Sequence, residues 1–176
     1  MVKTNNPFEN FIYLQAMENS NSASEKTGWA PEHLGEVHDK KIISFMPLYK
    51  KFNSYGEFIF DHQWANALQQ AGRNYYPKLL TAVPFTPCEG DRILGKTTED
   101  KNRLVNACIK KIEDEEIESW HILFPNEDGK KILREKNLIE RFNYRFTWEN
   151  NNFQNFDDFL SIFTSRQRAT IRKERK

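Results

Sequence analysis

The sequence predicts an α/β layered domain built on a mixed sheet. Two observations point there. Short apolar runs with the period of a strand alternate along the chain with longer amphipathic runs that have the period of a helix. The order reads helix, three strands, helix, strand, long helix, strand, helix, strand, helix, with polar or Gly/Pro-bearing connections between them. The 176 residues suffice for one domain with a sizeable core, and 14 Phe make that core aromatic-rich rather than aliphatic.

Asn6 and Pro7 open the first helix, Asn6 as N-cap and Pro7 at the first helical position, with Glu9 placed for a capping box. Phe8, Phe11, Ile12 and Gln15 share one face of it and are expected to pack into the core. A polar loop over residues 19–27 ends that helix. Residues 33–37 and 41–49 read as two strands, and Pro47 marks a bulge or an edge in the second because it has no N–H to give a ladder. Residues 58–60 read as a third strand. Asp61 then caps a helix over 62–71 that Gly72 ends, with Trp64 and Leu68 directed at the sheet. Residues 78–85 form the fourth strand and 119–124 the fifth. Between them a long helix over about 99–116 carries Leu104, Val105, Cys108 and Ile112 on one face. A short helix follows over 128–136. In residues 141–148, Phe142, Tyr144, Phe146 and Trp148 alternate strictly with Arg141, Asn143, Arg145 and Thr147, the period of a sixth strand. Asn155 caps a last helix that turns Phe156, Phe159, Leu160 and Phe163 inward.

The net charge of +1 is unevenly spread: residues 165–176 carry +5 and the rest of the chain −4. The domain is mildly acidic and ends on a basic helix that stops without a terminator, as if the chain were cut there. Such a helix is either a solvated face or a nucleic-acid contact. The start lacks the basic region and apolar core of a signal peptide, and no run spans a membrane, so the expected location is the cytoplasm. Two cysteines, Cys88 and Cys108, are too few for a disulfide framework or a zinc site, and the four histidines lack metal spacing. Serine-hydrolase elbows, Walker loops, dinucleotide fingerprints and zincin motifs are missing from the sequence.

Residues 54–94 are the stretch that draws a functional reading. A strand, a helix, a second strand and a turn here are expected to form a binding cleft. Thr86, Gly90 and Arg92 lie in a Gly-bearing turn after the fourth strand, where backbone N–H groups and a following helix end suit a phosphate. The turn equally fits an ordinary connection.

The blocks SYGE, FDxxW, YYPKL, PFTP and IRKER, with TGWAPEHL and SWHILFPNED, resemble a bacterial family of FemAB-like proteins of peptidoglycan biosynthesis and recognition, GNAT-type N-acyltransferases. The resemblance spans nearly the whole chain. It implies a GNAT-like domain over residues 1–150, with a central twisted sheet flanked by helices. A basic linking helix over 151–176 would lead to a second GNAT-like half. The implied activity is transfer of an acyl or aminoacyl group to an amine, with acyl-CoA or aminoacyl-tRNA as donor substrate and no tightly bound cofactor. The implied donor site is a gap where residues 78–85 and 119–124 splay apart, closed by Phe85, Thr86, Gly90 and Arg92. The usual glycine-rich donor loop of the fold is replaced by TPCEGDRILG. Amine attack needs a proton acceptor. Glu57 is the first candidate base and His121 the second, though His121 also fits a core histidine. Tyr55, Asp61, Trp64, Tyr75, Tyr76 and Lys78 are candidates for binding substrate, although Asp61 also fits a plain helix cap and the tyrosines also fit packing. Lys78 is expected to pair with a carboxylate or a donor phosphate. The basic tail, with Arg168 and Arg172 four apart, offers a tRNA contact. The competing reading is a non-catalytic binding module for a peptidoglycan-related ligand or a protein partner.

Overall fold

A computed structural model describes residues 6–59, 61–144 and 146–175. The chain divides into two compact units, Met1–Glu140 and Arg141–Lys176. The first is mixed α/β with two sheets. In one, the strand order is β1 (Trp29–Pro31), β4 (Tyr49–Lys51), β5 (Lys78–Thr81), β7 (Trp120–Ile122); in the other it is β2 (Leu34–His38), β3 (Lys41–Met46), β6 (Leu94–Gly95). β5 runs parallel to β7, and the remaining pairs are antiparallel. The helices are α1 (Phe11–Asn19), α2 (His62–Gln70), α3 (Thr98–Asp114) and α4 (Glu127–Glu135) in the first unit, and α5 (Phe156–Ser161) and α6 (Ser165–Glu174) in the second. Among the described residues, no helix is long and apolar enough to cross a membrane.

All four residues of β5 are buried, and their alternation divides the core in two. Leu79 packs with Met46, Leu48, Ile93, Leu104, Val105, Cys108, Ile132 and Leu133. Leu80 packs on the other face with Trp29, Tyr49, Ala82 and Leu123. The face of α3 expected from its period is the buried one, and Thr97 and Asp100 close a reciprocal capping box at its start.

Several expected elements differ. The strand expected over 41–49 is divided by Pro47: β3 ends at Met46 in one sheet, and β4 begins at Tyr49 in the other. A residue without an N–H cannot continue either ladder, so the chain changes sheet there. Phe58 has φ +58°, outside the β region, so Phe58 and Ile59 form no strand; Phe60 lies outside the described residues. The fourth and fifth strands shorten to β5 and β7. Asn6 does cap, but the turn it opens is a 3-10 helix (Pro7–Glu9), and Asn10 caps α1. The expected inward stripe of the first helix is exposed at Phe8, Phe11 and Ile12, and the buried residue is Leu14. α2 buries none of its residues, and Trp64 is 55% exposed rather than turned into the core.

In the second unit, residues 141–144 and 146–148 form no strand, and Phe142, Tyr144, Phe146 and Trp148 are exposed; Arg145 lies outside the described residues. Period-two alternation marks which side chains share a face, but a strand also needs a partner edge. The single last helix is two, because Thr164 starts α6 with its own capping box. Leu160 is buried, whereas Phe156, which also carries the Arg175 guanidinium at 3.8 Å, stays partly exposed.

Candidate functional site

The register of the β1–β4–β5–β7 sheet sets the site. Trp29 pairs with Lys51 and Lys51 with Lys78, so these three form one row across three strands. The next row on the same face is Tyr49, Leu80 and His121. Two lysines therefore stand side by side on a buried face, both fully buried.

The segment between β4 and α2 brings the acids to them. Gly56 takes φ +77°, and a methyl there would lie 2.5 Å from the Phe85 ring, so the tight approach of this loop to Phe85 needs glycine. The next residue, Glu57, is thereby turned inward and is 2% exposed. Asp61, at the start of α2, is 1% exposed. Its side chain makes no capping hydrogen bond to that helix. It points to the sheet instead.

Lys78 Nζ uses all three of its protons, donating to Glu57 Oε2 at 2.8 Å, Asp61 Oδ2 at 2.5 Å and Ser54 Oγ at 2.9 Å. Asp61 Oδ2 also accepts from Tyr75 Oη at 2.6 Å and Ser54 Oγ at 2.9 Å. Tyr75 Oη lies 3.2 Å from His121 Nε2, and Ser54 Oγ 2.7 Å from Tyr76 Oη. Lys51 Nζ stands 3.9 Å from Glu57 Oε1, donates to the Tyr55 carbonyl at 3.2 Å, and sits 3.8 Å from the centre of the Trp29 ring. Two oxygens in the cluster, Glu57 Oε1 and Asp61 Oδ1, are buried without a hydrogen bond.

Two lysines and two carboxylates make a cluster that is neutral as a whole, with charges unequally satisfied. Burial pushes the Glu57 carboxyl above its ordinary value, and the nearby Lys78 and Lys51 only partly oppose it. Burial pushes Asp61 the same way, but hydrogen bonds from Lys78, Tyr75 and Ser54 outweigh it and hold Asp61 at about 2. Burial also lowers Lys51, against the pull of Glu57, to about 7. Of the two acids, Asp61 is the more firmly held as an anion.

The structure thus gathers Glu57, Asp61, Tyr75, Tyr76, Lys78 and His121 into one hydrogen-bonded group. Tyr55, 76% exposed, joins through its backbone carbonyl, and the Trp64 ring is 55% exposed. Ser54 and Lys51 went unrecognised in the sequence. Lys51 lies just past the strand expected over 41–49, and only the register with Lys78 shows that it is interior.

The expected donor gap is arranged differently. β5 and β7 are hydrogen-bonded neighbours over Leu79–Trp120, Leu80–His121 and Thr81–Ile122 rather than splayed. The ladder ends at Thr81–Ile122, and an isolated parallel bridge joins Gly90 to Pro125. Arg92 follows that bridge. It is fully buried, donating Nε to the Leu123 carbonyl at 2.8 Å, Nη1 to Glu9 Oε1 at 3.1 Å and Nη2 to the Cys88 carbonyl. The Gly90 N–H goes to the Phe124 carbonyl and the Thr86 N–H to Val83, while the Thr86 hydroxyl donates to Pro84 and meets Tyr13. Phe85, at φ +55°, stacks beside Trp29. The turn leads into β6 and not directly into a helix. A concavity of about 480 Å³, lined by Trp148, Phe153, Phe156 and Phe159, lies within the second unit.

Fold and site together define a mixed α/β protein with a buried lysine–carboxylate cluster at the centre of its sheet. The family model for peptidoglycan biosynthesis/recognition, FemAB-like, matches residues 1–176, and the chain belongs to that family. Comparison with curated proteins and with solved structures gave no match.

Proposed function

We propose that this chain is the catalytic first half of a GNAT-type N-acyltransferase, which moves an acyl or aminoacyl group onto an amine of a peptidoglycan precursor. The observation that carries the reading is the continuous path from Glu57 through Lys78, Asp61 and Tyr75 to His121, which links both candidate bases. The family supports the peptidoglycan-related substrate. The parallel β5–β7 pair supports the fold.

In this reaction the amine nitrogen attacks the donor carbonyl carbon. The carbon–oxygen bond of an aminoacyl ester, or the carbon–sulfur bond of a thioester, breaks, and the leaving hydroxyl or thiol takes up the proton that the amine loses. A carboxylate made more basic by burial suits the role of carrier for that proton. Glu57 is 2% exposed, so it serves only when the loop around it moves. Asp61 and Lys78 orient the path through their hydrogen bonds. Of the two donors, aminoacyl-tRNA suits the turn better than acyl-CoA, because Arg92 and the Gly90 N–H are already committed inside the protein. In α6, Arg168 and Arg172 bond within their own unit, to Phe163 and Asp157, which leaves Arg166 and Lys173 as the tRNA-facing charges.

The near-complete burial of the cluster favours a second reading, a non-catalytic module in which the same charges only hold the loop in place. Glu57→Gln in the intact protein, assayed with acetyl-CoA and with aminoacyl-tRNA, separates the two. Transfer is expected to fall at least about a hundredfold, the usual scale of general-base loss, with the fold retained. Undiminished transfer removes Glu57 from catalysis, and absence of transfer and of donor binding in the parent protein leaves the module.

A further inference from the structure

Lys51 and Lys78 are direct cross-strand partners in β4–β5, and both are fully buried. Like charges placed opposite each other on adjacent strands repel, and here neither is bathed by water. Such a pair is sound only with an anion between the two ammonium groups. In this sheet the anion comes from a loop: Glu57 reaches in, with Oε2 2.8 Å from Lys78 and Oε1 3.9 Å from Lys51.

The fit is one-sided. Glu57 Oε1 is buried and accepts no hydrogen bond, although Lys51 Nζ is its neighbour. Lys51 makes do with a backbone carbonyl and the face of Trp29. The backbone that delivers the carboxylate is in uncommon conformations on both sides, Gly56 at φ +77° and Phe58 at φ +58°, the latter strained for a bulky residue. The side chains flanking Glu57 stay outside, Tyr55 at 76% and Phe58 at 55% exposure. A carboxylate pressed by a strained loop into an imperfect seat between two lysines has the character of a substitute.

We infer that Lys51 and Lys78 form a binding site for the carboxylate or phosphate of a ligand, and that Glu57 is a tethered stand-in which that oxyanion displaces. Exchanging one anion for another keeps the cluster's charge balance, because Asp61 remains on Lys78, Tyr75 and Ser54. Displacement returns Glu57 to water and relieves the backbone at Phe58. This site goes beyond the transfer reading and does not rest on it, since a binding module would use it equally.

The test is calorimetric titration of the chain and its Glu57→Gln variant with sodium acetate and, separately, sodium phosphate, with ionic strength balanced by chloride. The variant, confirmed as folded by circular dichroism, is expected to bind one of the two anions about tenfold tighter than the parent, a decade of affinity. Adding Lys51→Met should abolish the gain. A gain in the acetate arm identifies a carboxylate ligand, and a gain in the phosphate arm a phosphate. Equal, negligible binding by parent and folded variant overturns the proposal. Should Glu57→Gln fail to fold, amide hydrogen exchange over residues 55–59 of the parent decides: acceleration by acetate or phosphate over chloride supports the site, and unchanged exchange overturns it.

Discussion

Replacing Lys78 by methionine tests the cluster most directly. The substitution keeps most of the side chain's length and apolar stem but removes the charge and all three hydrogen bonds, to Glu57, Asp61 and Ser54. Both carboxylates have 1% exposed side chains, so water cannot replace what is lost. Removing one partner of a buried ion pair leaves an uncompensated charge and costs about 3–5 kcal/mol. Two acids share this lysine, but Lys51 remains beside Glu57, so the stranded charge is chiefly that of Asp61. The lower part of that range is therefore expected. For a domain of this size it lowers the melting temperature by roughly 10 °C. Thermal and urea unfolding followed by circular dichroism measure it. The double variant Lys78→Met/Asp61→Asn removes the stranded charge with its partner and should recover at least about 1 kcal/mol relative to the sum of the two single changes. A loss below about 1 kcal/mol for Lys78→Met, or simple additivity in the double variant, would refute the account of Lys78 as the counter-ion of a desolvated pair.

Two further expectations concern packing and pH. Gly90→Ala places a methyl group into the Glu9 carboxylate, which is itself bound to the buried Arg92; a loss of about 1–3 kcal/mol, typical of overpacking, should appear in the same unfolding assay, and a neutral result would mean that the Pro7–Glu9 turn gives way freely. Lys51 is held at about 7, below its ordinary 10.5, so the unfolded chain binds more protons between these values and stability should rise as pH increases from about 7 toward 10.5. Asp61, held at about 2 against an ordinary 3.8, contributes stability that is present above about 4 and lost as pH falls toward 2. Urea midpoints measured across pH should show both limbs; Lys51→Met flattens the alkaline one and Asp61→Asn the acid one, and unchanged limbs would contradict these assignments.

Much of the helical layer was legible in the sequence because its signals are local. Thr97 and Asp100 cap α3 within one turn, and the periodic Leu104, Val105 and Cys108 are the buried face. Asn155 likewise caps α5 with its own side chain. Strands were less legible. Pro47 was visible, but that it sends the chain into a second sheet depends on which edges are available. The alternating aromatics of 141–148 promised a strand that has no ladder. At α2, Trp64 and Leu68 have the spacing of a buried stripe, yet no residue of that helix is buried.

By itself the sequence determined the α/β class, the family, and the cluster of chemistry-bearing residues over 54–94, because residue types and short spacings carry all three. Only the tertiary structure decided what those residues do to one another. The cross-strand register puts Lys51 beside Lys78, Gly56 lets the loop pass Phe85 closely enough to turn Glu57 inward, and Arg92 closes on Glu9, 83 positions away, instead of facing a donor. Charge strength in a protein is set by burial and by distances of a few ångströms, and neither is a property of a residue's place along the chain.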